Sequence, residues 1–136
     1  MNLNERFKQP DKKNALSLAT AAKSDMEFTL KIKPTEESAT TIIRNIYESF
    51  RMLGDSILLS KGIESRNHLK PINELLLLKI PTKRPLRTIE NLRQLRHNLN
   101  YYGYKPKISE VIDAIDIAKT LFNPIFTEIK KSIITH

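Results

Sequence analysis

From Ile42 to Ile57 the apolar residues Ile42, Ile46, Phe50, Leu53 and Ile57 recur at steps of four, four, three and four. A strand, with its period of two, would scatter these side chains over both faces. A helix gathers all five on one stripe. Glycine stands only at positions 54, 62 and 103, and no alternating pattern persists anywhere in the chain. The spacing therefore predicts an all-α fold. The first helix is expected from about Lys12 to Leu30, with Leu16, Ala19 and Met26 on one side. The second runs from about Glu36 to Lys61, capped by Thr35 and stopped by Gly62. A short helix follows from about His68 to Leu78, with Pro71 in its first turn, and Lys79 to Arg84 form a basic loop. The fourth helix starts near Pro85 and ends at Gly103. The fifth is capped by Ser109 and carries Ile112, Ile115, Ala118, Phe122, Ile125 and Ile129, with a kink or break expected at Asn123-Pro124. Such helices bury their stripes most simply as an antiparallel up-and-down bundle of about five helices around a four-helix core. Residues 1–10 are expected to be a flexible lead-in and residues 11–136 a single domain.

A chain of 136 residues can remove roughly two-thirds of its unfolded surface from water, enough for a continuous core. Cysteine is absent, so disulfide and thiol chemistry are excluded. His68, His97 and His136 have no cysteines or acidic cluster beside them, so no metal is expected, and no cofactor either. No run approaches the ~20 apolar residues that span a bilayer, and the first ten residues lack the apolar core of a signal peptide. The expected location is the cytoplasm.

The formal net charge is +8. Between Lys61 and Lys107 there are 11 Lys+Arg and 3 Asp+Glu, a balance of 11 − 3 = +8, so the remainder of the chain sums to zero. A segment holding the whole excess suggests an electropositive face for RNA, nucleotide or another phosphate-bearing partner. Solubilising loop cations are the plainer explanation, and charge alone leaves both open.

Helical geometry sorts the fourth helix at about 100° per residue. Leu92, Leu95, Leu99 and Tyr102 fall on the side expected to face the core. Arg96 lies on the edge of that stripe, and Arg93, His97 and Tyr101 form a row at four-residue spacing, with Asn100 beside them. A guanidinium forks onto phosphate oxygens, an imidazole moves a proton near neutral pH, and a phenol or amide orients a ligand. Arg96 could equally pair with Glu48 inside the bundle, and His97 could be a solvated helix histidine. Tyr104, with Lys105 and Lys107, could stack on a base and hold phosphates, or simply cover a helix end.

The string Leu92-Arg-Gln-Leu-Arg96-His-Asn-Leu-Asn-Tyr101-Tyr-Gly-Tyr104 resembles the signature helix of HEPN domains, in which an arginine, usually followed by a polar residue, stands four to six residues ahead of a histidine. Two further segments agree. Ile46 to Leu53, leading on to Lys61-Gly62 and His68, resembles the family's long helix, glycine stop and short helix, and Ser109 to Ile125 resembles its last long helix. The resemblance implies a homodimer whose signature helices face each other across a basic cleft. It also implies binding of RNA or nucleotide, or metal-independent ribonuclease activity of the toxin type, with a small nucleotidyltransferase as antitoxin partner. Arg96 then takes the family arginine's position and His97 the polar one. Where the family has its histidine this chain carries Tyr101, a poor base with an ordinary pKa near ~10. The catalytic candidates are thus Arg96, His97 and Tyr101, and the phosphate-binding candidates Arg93, Asn100, Tyr104, Lys105 and Lys107. A non-catalytic dimerisation protein is the competing class. A helix-turn-helix DNA reader is a weaker third, because the loop before the fourth helix is long and holds two prolines.

Overall fold

A computed structural model describes residues 5–135. It contains five α-helices, α1 (Lys12–Thr29), α2 (Ala39–Lys61), α3 (Lys70–Leu76), α4 (Ile89–Tyr102) and α5 (Ile108–Thr135). A 3-10 turn at Leu86–Thr88 leads into α4, and two short strands, β1 (Glu5–Phe7) and β2 (Ile63–Ser65), pair antiparallel. Cross-helix contacts fix the directions. Ser56 and Leu59 of α2 meet Ala15 and Asp11 at the start of α1, Glu48 and Arg44 meet Arg96 and Asn100 of α4, and Phe50 meets Phe122 of α5 while Ile57 shares a cleft with Ile129. Helices α1 and α4 thus run one way and α2 and α5 the other, the expected up-and-down bundle.

Helix α2 is the hub. All five stripe residues are buried, and so are Ile43, Tyr47 and Leu58, because other helices pack on several sides of α2 rather than one. Its contact with α1 is close because α1 presents Ala15, Ala19 and Ala22, all buried. The Ser56 hydroxyl donates to the Ala15 carbonyl at 2.7 Å, so this buried polar group is satisfied. Gly62 ends α2 in the left-handed region at φ 72°, as its position predicted.

Several expectations are corrected. The lead-in is not wholly free, since Glu5–Phe7 pairs with Ile63–Ser65 in the register Glu5↔Ser65, Arg6↔Glu64 and Phe7↔Ile63. Strands of three residues carry too little period to be read from a sequence. Helix α2 begins at Ala39 rather than Glu36. Thr35 does accept from the Ser38 N–H, at 3.1 Å, while the Ser38 hydroxyl accepts from the Thr35 N–H at 2.9 Å, so the capping chemistry closes a turn ahead of the helix. Helix α5 starts at Ile108, one residue before the expected Ser109 cap. Glu110 does that work by accepting from the Lys107 N–H at 2.8 Å, half of a capping box. Pro124 does not break α5, which continues to Thr135 with Phe122, Ile125 and Phe126 buried on either side of it. The early stripe of α5 runs through Val111 and Ala114, leaving Ile112 about half exposed.

Candidate functional site

The flank shared by α2 and α4 brings together three of the eight sequence candidates, Arg93, Arg96 and Asn100. Because the two helices run antiparallel, Arg44 and Glu48 of α2 meet Asn100 and Arg96 of α4, and Arg51 and Asp55 continue the charged row along α2 at steps of three and four. The Arg96 guanidinium is half-exposed and rests over the buried Tyr47 ring, with Cζ 5.4 Å from the centroid. One of its Nη atoms lies 3.6 Å from Glu48, so the internal ion pair weighed from the sequence exists. It is a loose one. A charge-assisted hydrogen bond closes to about 2.7–2.9 Å, and Glu48 already accepts from Arg51 at 2.9 and 3.0 Å. Arg96 therefore keeps donors available to a ligand. Burial pushes the Tyr47 phenol above its ordinary pKa, opposed by the neighbouring Arg96 charge, so Tyr47 is a platform and not a base.

Arg93 lies in the same row but is engaged by Glu90 at 2.9 Å. Asn100 is not a loose surface amide, because its Oδ1 accepts from Arg44 Nε at 2.9 Å. Arg44 has no ion pair among the described residues and was missed by sequence reasoning, although its place in the charged row on α2 was the available signal. The His97 ring is half-buried and lies 4.6 Å from Tyr101, tilted at 38°, and 5.8 Å from Tyr102, edge-on at 71°.

Tyr102 is corrected outright. Expected to pack inward, it is 74% exposed, and Tyr101 is 70% exposed. At 100° per residue Tyr102 sits about 80° from Leu92, at the limit of the stripe. Gly103, left-handed at φ 59°, then turns the chain so that Tyr104 packs against the core instead. Tyr104 donates its hydroxyl to Glu110 at 2.6 Å, and that bond raises its pKa. It covers the start of α5 and is not presented for stacking. Lys105 and Lys107 line a separate cleft with Glu36, Glu37 and Thr40, where two carboxylates face two ammonium groups.

Part of the basic segment's charge is compensated. Lys70 pairs with Glu74 inside the segment and with Glu5 outside it, and Arg84 pairs with Asp113 and Asp116 and Arg96 with Glu48, acids that also lie outside the segment. Arg66, Lys79, Lys83, Arg87, Lys105 and Lys107 have no ion pair among the described residues.

No group of His, Asp or Glu among the described residues could hold a metal ion, and none of the described helices is long and apolar enough to cross a membrane. Comparison with known proteins leaves the site to its own chemistry. No family model, curated protein or solved structure matches the chain. What the α2–α4 flank offers is one partly released guanidinium on an aromatic base and a second cation at Arg44, while the His97 imidazole lies against Tyr101 and Tyr102, two exposed phenols.

Proposed function

We propose that the protein is a HEPN-like homodimeric module that binds RNA or nucleotide phosphate on the α2–α4 flank, with a small nucleotidyltransferase as its partner. The observation that carries this reading is Arg96, propped on Tyr47 and only loosely held by Glu48, beside His97 and the Arg44–Asn100 pair. The resemblance of Leu92 to Tyr104 to the HEPN signature helix supports the dimer and the partner. In the enzymatic version, His97 takes the proton from a 2′-hydroxyl, whose oxygen attacks the adjacent phosphorus. The P–O5′ bond then breaks as the 5′-oxygen takes the proton back from the His97 imidazolium, leaving a 2′,3′-cyclic phosphate, while Arg96 balances the phosphorane charge.

RNA retention measured against salt tests the binding. Affinity should fall steeply as salt rises, and Arg96→Ala should reduce the log–log slope by about one. Glu48→Gln, which removes the acid competing for Arg96, should strengthen retention by a few-fold. Failure to retain RNA at low salt, or a slope indifferent to Arg96→Ala, defeats the reading. Incubation with RNA in EDTA separates the versions, because cleavage that survives chelation and vanishes in Arg96→Ala establishes the ribonuclease.

A second reading is favoured by Tyr101 and Tyr102. Two large rings projecting from the last turn of α4 suit a helix-pairing surface with no RNA in it. On that reading Tyr101→Ala with Tyr102→Ala yields a monomer in sedimentation, and retention on RNA is absent at every salt concentration.

A further inference from the structure

At the end of the bundle opposite Tyr101, where α1 begins and α2 and α5 finish, a cleft of about 320 Å3 opens that plays no part in the reading above. Small-molecule pockets begin near ~300 Å3. Its floor is branched and aliphatic, made by Ile57 of α2, Leu78 beyond α3, and Ile129 and Ile133 of α5, with no aromatic ring on the lining. On its rim stand Lys12, the first residue of α1, and Lys61, the last of α2.

Lys12 makes no ion pair among the described residues, and Lys61 is only loosely held. Lys61 reaches Glu74 only at 3.9 Å, and Lys70 lies 3.8 Å from the same carboxylate, so Lys61 can turn away without leaving that buried acid unpaired. The lining holds a single acid, Glu128, which has no ion pair among the described residues. Two cations against one anion leave a surplus of one positive charge over an apolar floor. That balance suits an apolar body carrying one negative charge. A doubly charged phosphate would meet more repulsion from Glu128 for the same two lysines, and an amine would meet the surplus itself.

We propose that this cleft binds a small aliphatic monocarboxylate, its chain on Ile57, Leu78, Ile129 and Ile133 and its carboxylate on Lys12 and Lys61. The cleft displaces roughly ten waters' worth of liquid, at about 30 Å3 each, so octanoate is a suitable probe. The carboxylate gives orientation and the chain gives most of the affinity.

The test is a titration of the full chain with octanoate, followed through the backbone amide signals of residues 57, 129 and 133. Those signals should move, and affinity should tighten about four-fold per methylene from hexanoate to octanoate. Lys12→Ala with Lys61→Ala, both at exposed positions, should weaken octanoate at least ten-fold while the remaining signals stay in place. Methyl octanoate, which keeps the chain and loses the charge, gives the same comparison without a variant and should bind at least ten-fold more weakly. Equal binding of methyl octanoate or octylammonium, indifference to chain length, an undiminished double variant, or shifts confined to other residues would each overturn the proposal.

Discussion

Gly54→Ala is expected to cost about 3 kcal/mol, although alanine is intrinsically the better helix residue by roughly 0.5–1 kcal/mol. Position 54 lies inside α2, where α3 crosses over it. A Cβ there would overlap the backbone carbonyl of Pro71 and come within 2.8 Å of Pro71 Cα. The obstacle is main chain, held by the fixed ring of a proline in the first turn of α3, and no rotamer change relieves it. Helices α2 and α3 must separate, and Ile72 and Leu75 lift from the core with them. Urea unfolding should show a clearly lowered midpoint, and the thermal midpoint should fall by about 10 °C. Gly103→Ala is the control. A Cβ at position 103 meets nothing within 4 Å, and only the left-handed φ of 59° opposes it, a cost of about 1 kcal/mol. Similar losses at both positions would mean that the α2–α3 crossing yields to a Cβ at position 54.

Phe50→Ala is expected to cost about 4 kcal/mol, within the range for emptying a buried aromatic site. Phe50 is fully buried at the centre of α2 and meets Phe122 of α5 edge-on, with centroids 5.6 Å apart and planes at 64°. Phe122 in turn stacks with Phe126 at 6.5 Å. The alanine leaves a cavity and removes the aromatic contact, itself worth about 0.5–1.5 kcal/mol. Against a typical total stability of about 5–15 kcal/mol, this is a large share. Phe50→Leu keeps most of the volume and should lose only about 1–2 kcal/mol. If calorimetry finds Phe50→Ala no worse than the leucine variant, the Phe50–Phe122 contact is not the centre of the core.

These two positions also show what a sequence can disclose. The stripe through Phe50 is visible because a central helix repeats its burial every three or four residues, and the same periodicity located α1, α2, α4 and the glycine that ends each of α2 and α4. Gly54 gives no such sign, since its role depends on where Pro71 lands. The strand at Glu5–Phe7 escaped for want of length. Tyr102 was misplaced because one position at the edge of a stripe is decided by the turn that follows it, and Gly103 turned Tyr104 inward instead. The candidate site was legible on α4, where Arg93, Arg96, His97, Asn100 and Tyr101 share one flank. Half of its character lay elsewhere. Arg44 and Tyr47 belong to α2, some fifty residues earlier in the chain, and their pairing with α4 is tertiary. Part of the charge surplus between Lys61 and Lys107 is likewise met by distant acids, Glu5, Glu48, Asp113 and Asp116, which no local window shows.

The ammonium of Lys70 grips Glu5 at 3.4 Å and Glu74 at 3.8 Å, and the Lys8 N–H donates to the Gly62 carbonyl at 2.6 Å. The first strand is thus buttoned to the short third helix and to the tail of the hub by shared fastenings. Loosening any one of them should release the others in the same breath, so amide exchange at residues 5–8 and 70–76 ought to speed up together when Lys70 is neutralised. The first strand is therefore coupled mechanically, through Lys70 and through its own pairing with the second strand, to the seam between the second and third helices.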